Sequence, residues 1–307
     1  TLPLTLFPYT TLFRSLTGEV LQRVNRDDRL LMRGAGRITR ALVASAIAQR
    51  DQRPLLVVVP TLEEAGRWAA LLELMGWSSA SLYPTSEGSP YEPFDPTSEI
   101  IWGQLQVLSD LIGDGDRANR AIVATERCLQ PHLPPVEALR NTCRTINRGD
   151  ELDLDVLADT LARLGYERVS TIDQEGTWSR RGDIVDIYPV SSELPVRLEF
   201  FGEELDKLRE FDPATQRSLD PVERLQLTPT GFSPLIADQL RETMPEALDR
   251  LLGEHATEEL LEGGTPEGMR RLMGLAWQQP ASLLDYLPET TCVVVDERRQ
   301  GLAHGHL

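Results

Sequence analysis

Two stretches of the chain carry residue types that could handle a phosphate and its metal. Arg33-Gly34-Ala35-Gly36-Arg37-Ile38-Thr39-Arg40 is a glycine-rich turn between a short apolar run and a helical pattern. That is the position of a P-loop, where backbone N–H groups at a helix N-terminus cradle phosphate oxygens. Val293-Val294-Val295-Asp296-Glu297 is an apolar strand ending in two carboxylates, which is how a Walker B strand holds magnesium. A working site also needs a lysine to bridge the β- and γ-phosphates, and the only lysine, Lys207, lies far along the chain. Either element alone reads as an ordinary turn or a strand with exposed acids at its end. Together, Gly34, Gly36, Arg37, Thr39, Arg40, Asp296 and Glu297 read as a degenerate nucleotide site. Arg37 or Arg40 could bind an anion there, but an active ATPase is not expected.

A third constellation suits contact rather than catalysis. In Val196-Arg197-Leu198-Glu199-Phe200-Phe201 the two-residue period of a strand puts Val196, Leu198 and Phe200 on one face. Arg197, Glu199 and Phe201 share the other. One face must pack on a helix, so the other presents an arginine beside an aromatic, the chemistry of interface hot spots. On spacing alone a second reading stands level: Phe201 folds into the core beside Phe200, and Arg181 pairs with Asp183 or Glu199. Asp183, Asp186, Asp206 and Glu210 read as strand-end and surface charges, not catalytic carboxylates. Cys128, Cys143 and Cys292 form no C-x-x-C pair, and His132, His255, His304 and His306 are scattered. Neither a disulfide framework nor a zinc site is expected, and the sparse cysteines suit a reducing, cytoplasmic setting.

The elements that must position these residues alternate at first. A short run at 30–32 precedes a helical stretch at 39–49, and Leu55–Val59 is a continuous apolar run suited to a buried parallel strand. Thr61 with Glu64 starts a helix carrying Trp68, Leu71 and Leu72 on one face. A brief strand at 81–83, a proline-rich loop at 84–98, a helical face of Trp102, Leu105, Leu108 and Ile112, and a strand at 121–124 complete a doubly wound βαβ pattern. Gln130-Pro131-His132-Leu133-Pro134-Pro135 breaks the rhythm. A helix with Leu154, Leu157, Leu161 and Leu164 on one face follows, stopped by Gly165. Short strands at Ile184–Tyr188, Val196–Phe201 and 222–228 then make a small α+β domain. From Pro234 the chain is helical and polar until the late apolar strand.

Of the 307 residues, 41% are hydrophobic, yet the longest aliphatic run, Leu55–Val59, falls far short of the roughly 20 apolar residues of a membrane span. Acidic residues outnumber basic ones 48 to 31, for a net charge of −17. Such a surface disfavours non-specific nucleic-acid binding and suits a protein partner. Residues 1–15 lack acids and a signal-peptide pattern, match the translation of a sequencing-library adapter, and are expected to be a non-native tail. The C-terminal end also reads as a cut.

The segment Arg180-Arg181-Gly182-Asp183-Ile184-Val185-Asp186-Ile187-Tyr188-Pro189 carries the most specific signal. With Leu194–Gly202, Leu208–Ser218, Ser89–Pro96 before Trp102-Gly-Gln-Leu105, and Leu283–Pro288, it resembles UvrB. More closely, it resembles the UvrB-like N-terminal module of the transcription-repair coupling factor (Mfd) family. The resemblance spans about residues 30–297. UvrB has an intact Gly-Lys-Thr loop; counting from Gly34, those positions here hold Thr39, Arg40 and Ala41. UvrB also threads an aromatic-rich hairpin between DNA strands, whereas residues 84–101 keep only Tyr91 and Phe94 among prolines and acids. Both departures favour the coupling factor; a UvrB-type ATPase and damage-recognition subunit is the alternative.

The resemblance implies a RecA-like α/β domain with a degenerate P-loop, into which a small α+β UvrA-binding domain is inserted. The expected boundaries are 16–130, 131–228 and 229–307. It implies UvrA as partner through Arg181, Arg197 and Phe201, and downstream domains of the parent chain that mask this surface. RNA polymerase and DNA would be engaged only through parts beyond this chain. ATP and magnesium belong to motor domains likewise beyond it, so no cofactor is expected. The implied role is recruitment of UvrA to stalled polymerase for nucleotide excision repair, without ATP hydrolysis by this part.

Overall fold

The computed structural model describes residues 30–77, 79–86, 96–113, 119–261, 266 and 268–296. The expected non-native tail, Tyr91, Phe94 and Glu297 lie outside them. The chain divides into two compact units: Thr1–Tyr83, Asp116–Arg127 and Pro288–Leu307 form one, Pro84–Gly115 and Cys128–Leu287 the other.

The first unit is built on a four-stranded sheet. Five consecutive Leu and Val residues make strand β1 (Leu55–Val59), and each is at most 1% exposed because both faces are covered. β2 (Ser79–Tyr83) and β3 (Arg120–Thr125) lie to one side of it and the Cys292–Val295 strand to the other, giving the order late strand, β1, β3, β2. Every pairing is parallel.

Helix α1 (Arg37–Arg50) sets Ala41, Ala44 and Ala48 against Leu55, Val57 and Val59; α2 (Leu62–Leu74) adds Ala65, Trp68 and Leu72 on the same face. α2 starts where the cap pattern predicts: the Glu64 N–H donates to Thr61 Oγ1 at 3.2 Å. The expected strand at 30–32 does not form. Both sides of β1 are already taken by β3 and the late strand, and Leu31 stands exposed.

In the second unit, α3 (Ser98–Ile112) buries Leu105, Leu108 and Leu111, and α4 (Val136–Thr142) precedes β4 (Arg144–Asn147). α5 (Leu154–Arg163) is capped by Asp153, whose Oδ1 accepts from the N–H groups of Asp155 and Val156 at 2.7 and 3.1 Å. It ends at Gly165, which adopts φ +87°, the left-handed conformation that closes a helix. Six strands follow: β5 (Glu167–Arg168), β6 (Thr177–Arg181), β7 (Ile184–Tyr188), β8 (Val196–Phe201), β9 (Glu204–Phe211) and β10 (Ser218–Pro221). They lie in sequence order across one sheet, antiparallel except for β5 on β6.

β11 (Arg224–Leu227) pairs separately with β4. Leu157 and Leu161 of α5 share one core with Trp178, Val185, Ile187, Val196, Leu198 and Phe200. α6 (Ser233–Thr243) and shorter helices lead to the late strand, β12. The compact units are drawn differently from boundaries at 130 and 228, since residues 84–115 and 229–287 cluster with the middle of the chain. Trp102 Nε1–H donates to the Thr230 carbonyl at 3.0 Å, and Leu133 forms a bridge with Ala281.

Candidate functional site

The parallel register of β12 on β1 carries Asp296 to the end of the sheet beside α1, where the Asp296 N–H donates to the Val58 carbonyl at 2.8 Å. The Asp296 side chain is 2% exposed and forms an ion pair with Arg40. Its Oδ2 also accepts from Trp68 Nε1 at 2.7 Å. Arg37, one turn earlier, is paired with Glu64 of α2. Gly34 takes φ +70° and Gly36 caps α1, while Thr39 is exposed on the helix.

The glycine turn and the acidic strand end therefore do meet, but they meet each other's charges. The carboxylate that would hold a cation is neutralised by Arg40, and the cation that could receive a phosphate is bound to Asp296. These residues do not fit a magnesium nucleotide. Among the described residues, no cluster of three His, Cys, Asp or Glu side chains could hold a metal.

The second constellation sits at one end of the six-stranded sheet. β6 and β7 join through Gly182-Asp183, and β8 and β9 through Gly202-Glu203, each a two-residue turn whose glycine takes φ of +64° or +65°. The register sets Ile184 beside both Arg181 and Glu199, so the two turns lie at the same end. The Phe200 N–H ties them together by donating to the Asp183 carbonyl at 2.9 Å. Behind the second turn, the Leu152 N–H donates to Glu203 and the Leu205 N–H to Asp150, at 2.8 and 2.9 Å.

β8 alternates as its sequence predicts: Val196, Leu198 and Phe200 are buried, and Phe201 is 83% exposed. Phe201 does not fold in beside Phe200. Arg181 pairs with neither Asp183 nor Glu199; its Nη2 donates to Asp186 Oδ2 at 3.0 Å while the side chain stays 57% exposed.

Asp186 corrects a sequence expectation. It is 1% exposed in the middle of β7, not a surface charge. Both its oxygens accept from Arg197, Oδ1 from Nε at 2.7 Å and Oδ2 from Nη2 at 2.9 Å. The hydrogen bond to Asp186 raises the Arg197 pKa further, so the guanidinium is held charged. Arg197 also lies over the Phe211 ring, 4.8 Å from its centroid, and its side chain is only 15% exposed. Ile184, 37% exposed between Arg181 and Glu199, is the other residue that sequence reasoning passed over. The strand register, had it been known, would have found both.

The UvrB interaction domain family matches residues 145–231, from β4 through β11. The chain is 32% identical over 268 residues to the transcription-repair-coupling factor of Haemophilus influenzae, covering 85% of this chain and 23% of that protein. It is 29% identical to those of Bacillus subtilis, over 87% of this chain and 24% of the relative, and Escherichia coli, over 87% and 23%. The chain thus spans about a quarter of the length of the curated relatives it matches.

Proposed function

We propose that this chain, which is homologous to the N-terminal region of transcription-repair-coupling factors and contains a UvrB interaction domain, is an adaptor that docks UvrA. One observation carries the reading: inside the matched domain, Arg181 and Phe201 stand exposed at the same end of a rigid sheet. Arg197 completes the trio. Aromatics and arginines are the residues that interfaces use as anchors, and an aromatic ring with two side-chain torsions loses little entropy on binding.

The unit with the parallel sheet is a RecA-like, doubly wound domain in which the Arg40–Asp296 pair replaces nucleotide and metal. The middle of the chain, about 131–228, is the inserted docking domain. The fragment recognises and does not hydrolyse ATP; polymerase release and movement on DNA belong to the remaining three-quarters of the coupling factor. Downstream domains of the same parent cover the docking surface at rest. The whole acts in the cytoplasm, bringing UvrA to stalled polymerase for excision repair.

Calorimetric titration of the chain with UvrA tests the proposal, with Arg181→Ala and Phe201→Ala variants alongside. Saturable binding lost in both folded variants is expected. No binding by the unaltered chain sinks the adaptor reading.

A further inference from the structure

The three residues of the proposed docking trio are not equivalent. Arg181 and Phe201 are largely exposed, whereas Arg197 is mostly buried and has little surface left to offer. Its Nε and Nη2 are occupied by Asp186 and its guanidinium plane lies over Phe211. The same carboxylate that fixes Arg197 also receives Arg181, so Asp186 links a buried arginine to an exposed one across β6, β7 and β8.

An isolated arginine on a strand end samples many rotamers and loses that freedom on binding. Anchored at one nitrogen, Arg181 has much of that freedom removed beforehand. Resting on the UvrA-docking reading, we infer that Asp186 and Arg197 are positioning residues, and that Arg181, Ile184 and Phe201 make the contact. The partner site this patch fits is an apolar pocket for Phe201 and Ile184 flanked by a carboxylate for Arg181. Adjacent strands are about 4.8 Å apart, which sets the carboxylate and the pocket roughly 10 Å from each other.

Charge and positioning predict opposite signs for Asp186→Asn. The substitution removes a negative charge from a site that carries two arginines, so attraction alone would tighten binding to a carboxylate, most at low salt. Positioning predicts weakening by about tenfold at low and moderate salt alike, the factor expected for Arg181→Ala as an interface anchor.

The deciding experiment is a double-mutant cycle on UvrA affinity using the whole chain, with thermal unfolding of each variant measured alongside. Arg197→Ala alone should weaken binding about as much as Arg181→Ala, and the double variant should be no weaker than Arg181→Ala. Should Asp186→Asn unfold, the Arg181/Arg197 cycle still decides. Tighter or unchanged binding by folded Asp186→Asn, or independent losses for Arg181→Ala and Arg197→Ala, overturns the inference and leaves the docking reading intact. An unaltered chain that fails to bind UvrA overturns both.

Discussion

Phe201 and Asp296 are opposite cases of a side chain whose surroundings decide its use. At 83% exposure, the Phe201 ring holds nothing of the fold together. Phe201→Ala should therefore leave the unfolding midpoint unchanged while weakening UvrA binding by about 2 kcal/mol, the value of burying a large apolar side chain. A lowered midpoint in that variant would show the ring to be structural. Asp296 is buried with Arg40 and Trp68 as partners, so removing its charge takes the attraction out of a largely buried ion pair. Asp296→Asn should cost about 3 kcal/mol of stability, the scale for breaking one side of a buried pair. Denaturant unfolding measures it, and a loss below half that value would mean that water or another acid replaces the carboxylate. Phe201 was half legible in the sequence: alternation on β8 offers it an outward place, level on spacing alone with a place in the core beside Phe200, and the fold decides between them. Asp186 was not legible, because its two arginines come from the strands on either side and their register is invisible in one sequence.

Elements were legible wherever local pattern and tertiary role agree. β1, α2 with its Thr61 cap, and α5 with its leucine stripe formed where the residues predict. β9 departs from the two-residue period of a strand. Its buried Leu205 and Leu208 share one core although they are three residues apart, because the pairing with β8 shifts register between Glu199 and Phe200; Phe211, three further on, is buried on the other face beside Ile172 and Tyr188. Such a bulge drops the two-residue period while keeping the chain extended. The run at 30–32 failed for a different reason: three apolar residues carry little strand signal of their own, and both flanks of β1 are taken by β3 and β12.

Gly165, where α5 ends, is constrained both by its backbone conformation and by its neighbours. It takes φ +87°, and a Cβ there would run into Thr230 Oγ1 and approach Pro234 Cγ at 3.2 Å. Thr230 is itself committed, its N–H donating to the Leu164 carbonyl at 2.8 Å. Gly165→Ala should destabilise the second unit by about 2 kcal/mol or more, from left-handed strain plus the clash. The companion Gly182→Ala, with open space around its Cβ, should show strain alone and a smaller loss. Equal losses at both positions would remove Thr230 from the account.

For the whole molecule, acid acts in two opposed directions. The net charge of −17 makes the folded chain self-repelling at neutral pH, and protonating carboxylates relieves that repulsion. His132 works the other way. It is 5% exposed, its Nδ1–H donates to the Gln130 carbonyl at 2.6 Å, and burial, with the Arg270 charge adding to it, lowers its pKa to about 4. The folded state therefore keeps the imidazole neutral over a range in which the unfolded chain, with an ordinary value near 6.5, takes up a proton. Stability from this group is complete above about pH 6.5 and is lost as pH falls towards 4, a loss of about 3 kcal/mol at roughly 1.4 kcal/mol per pH unit. Unfolding curves of the unaltered chain alone mix this loss with the relief of repulsion. His132→Gln separates them, because it keeps an N–H donor for Gln130 and cannot titrate. Between pH 6.5 and 4 the variant should lose less stability than the unaltered chain by about that 3 kcal/mol. Parallel curves for the two proteins would mean that His132 is protonated in the fold or reached by water, and acid sensitivity would then rest on the carboxylates alone.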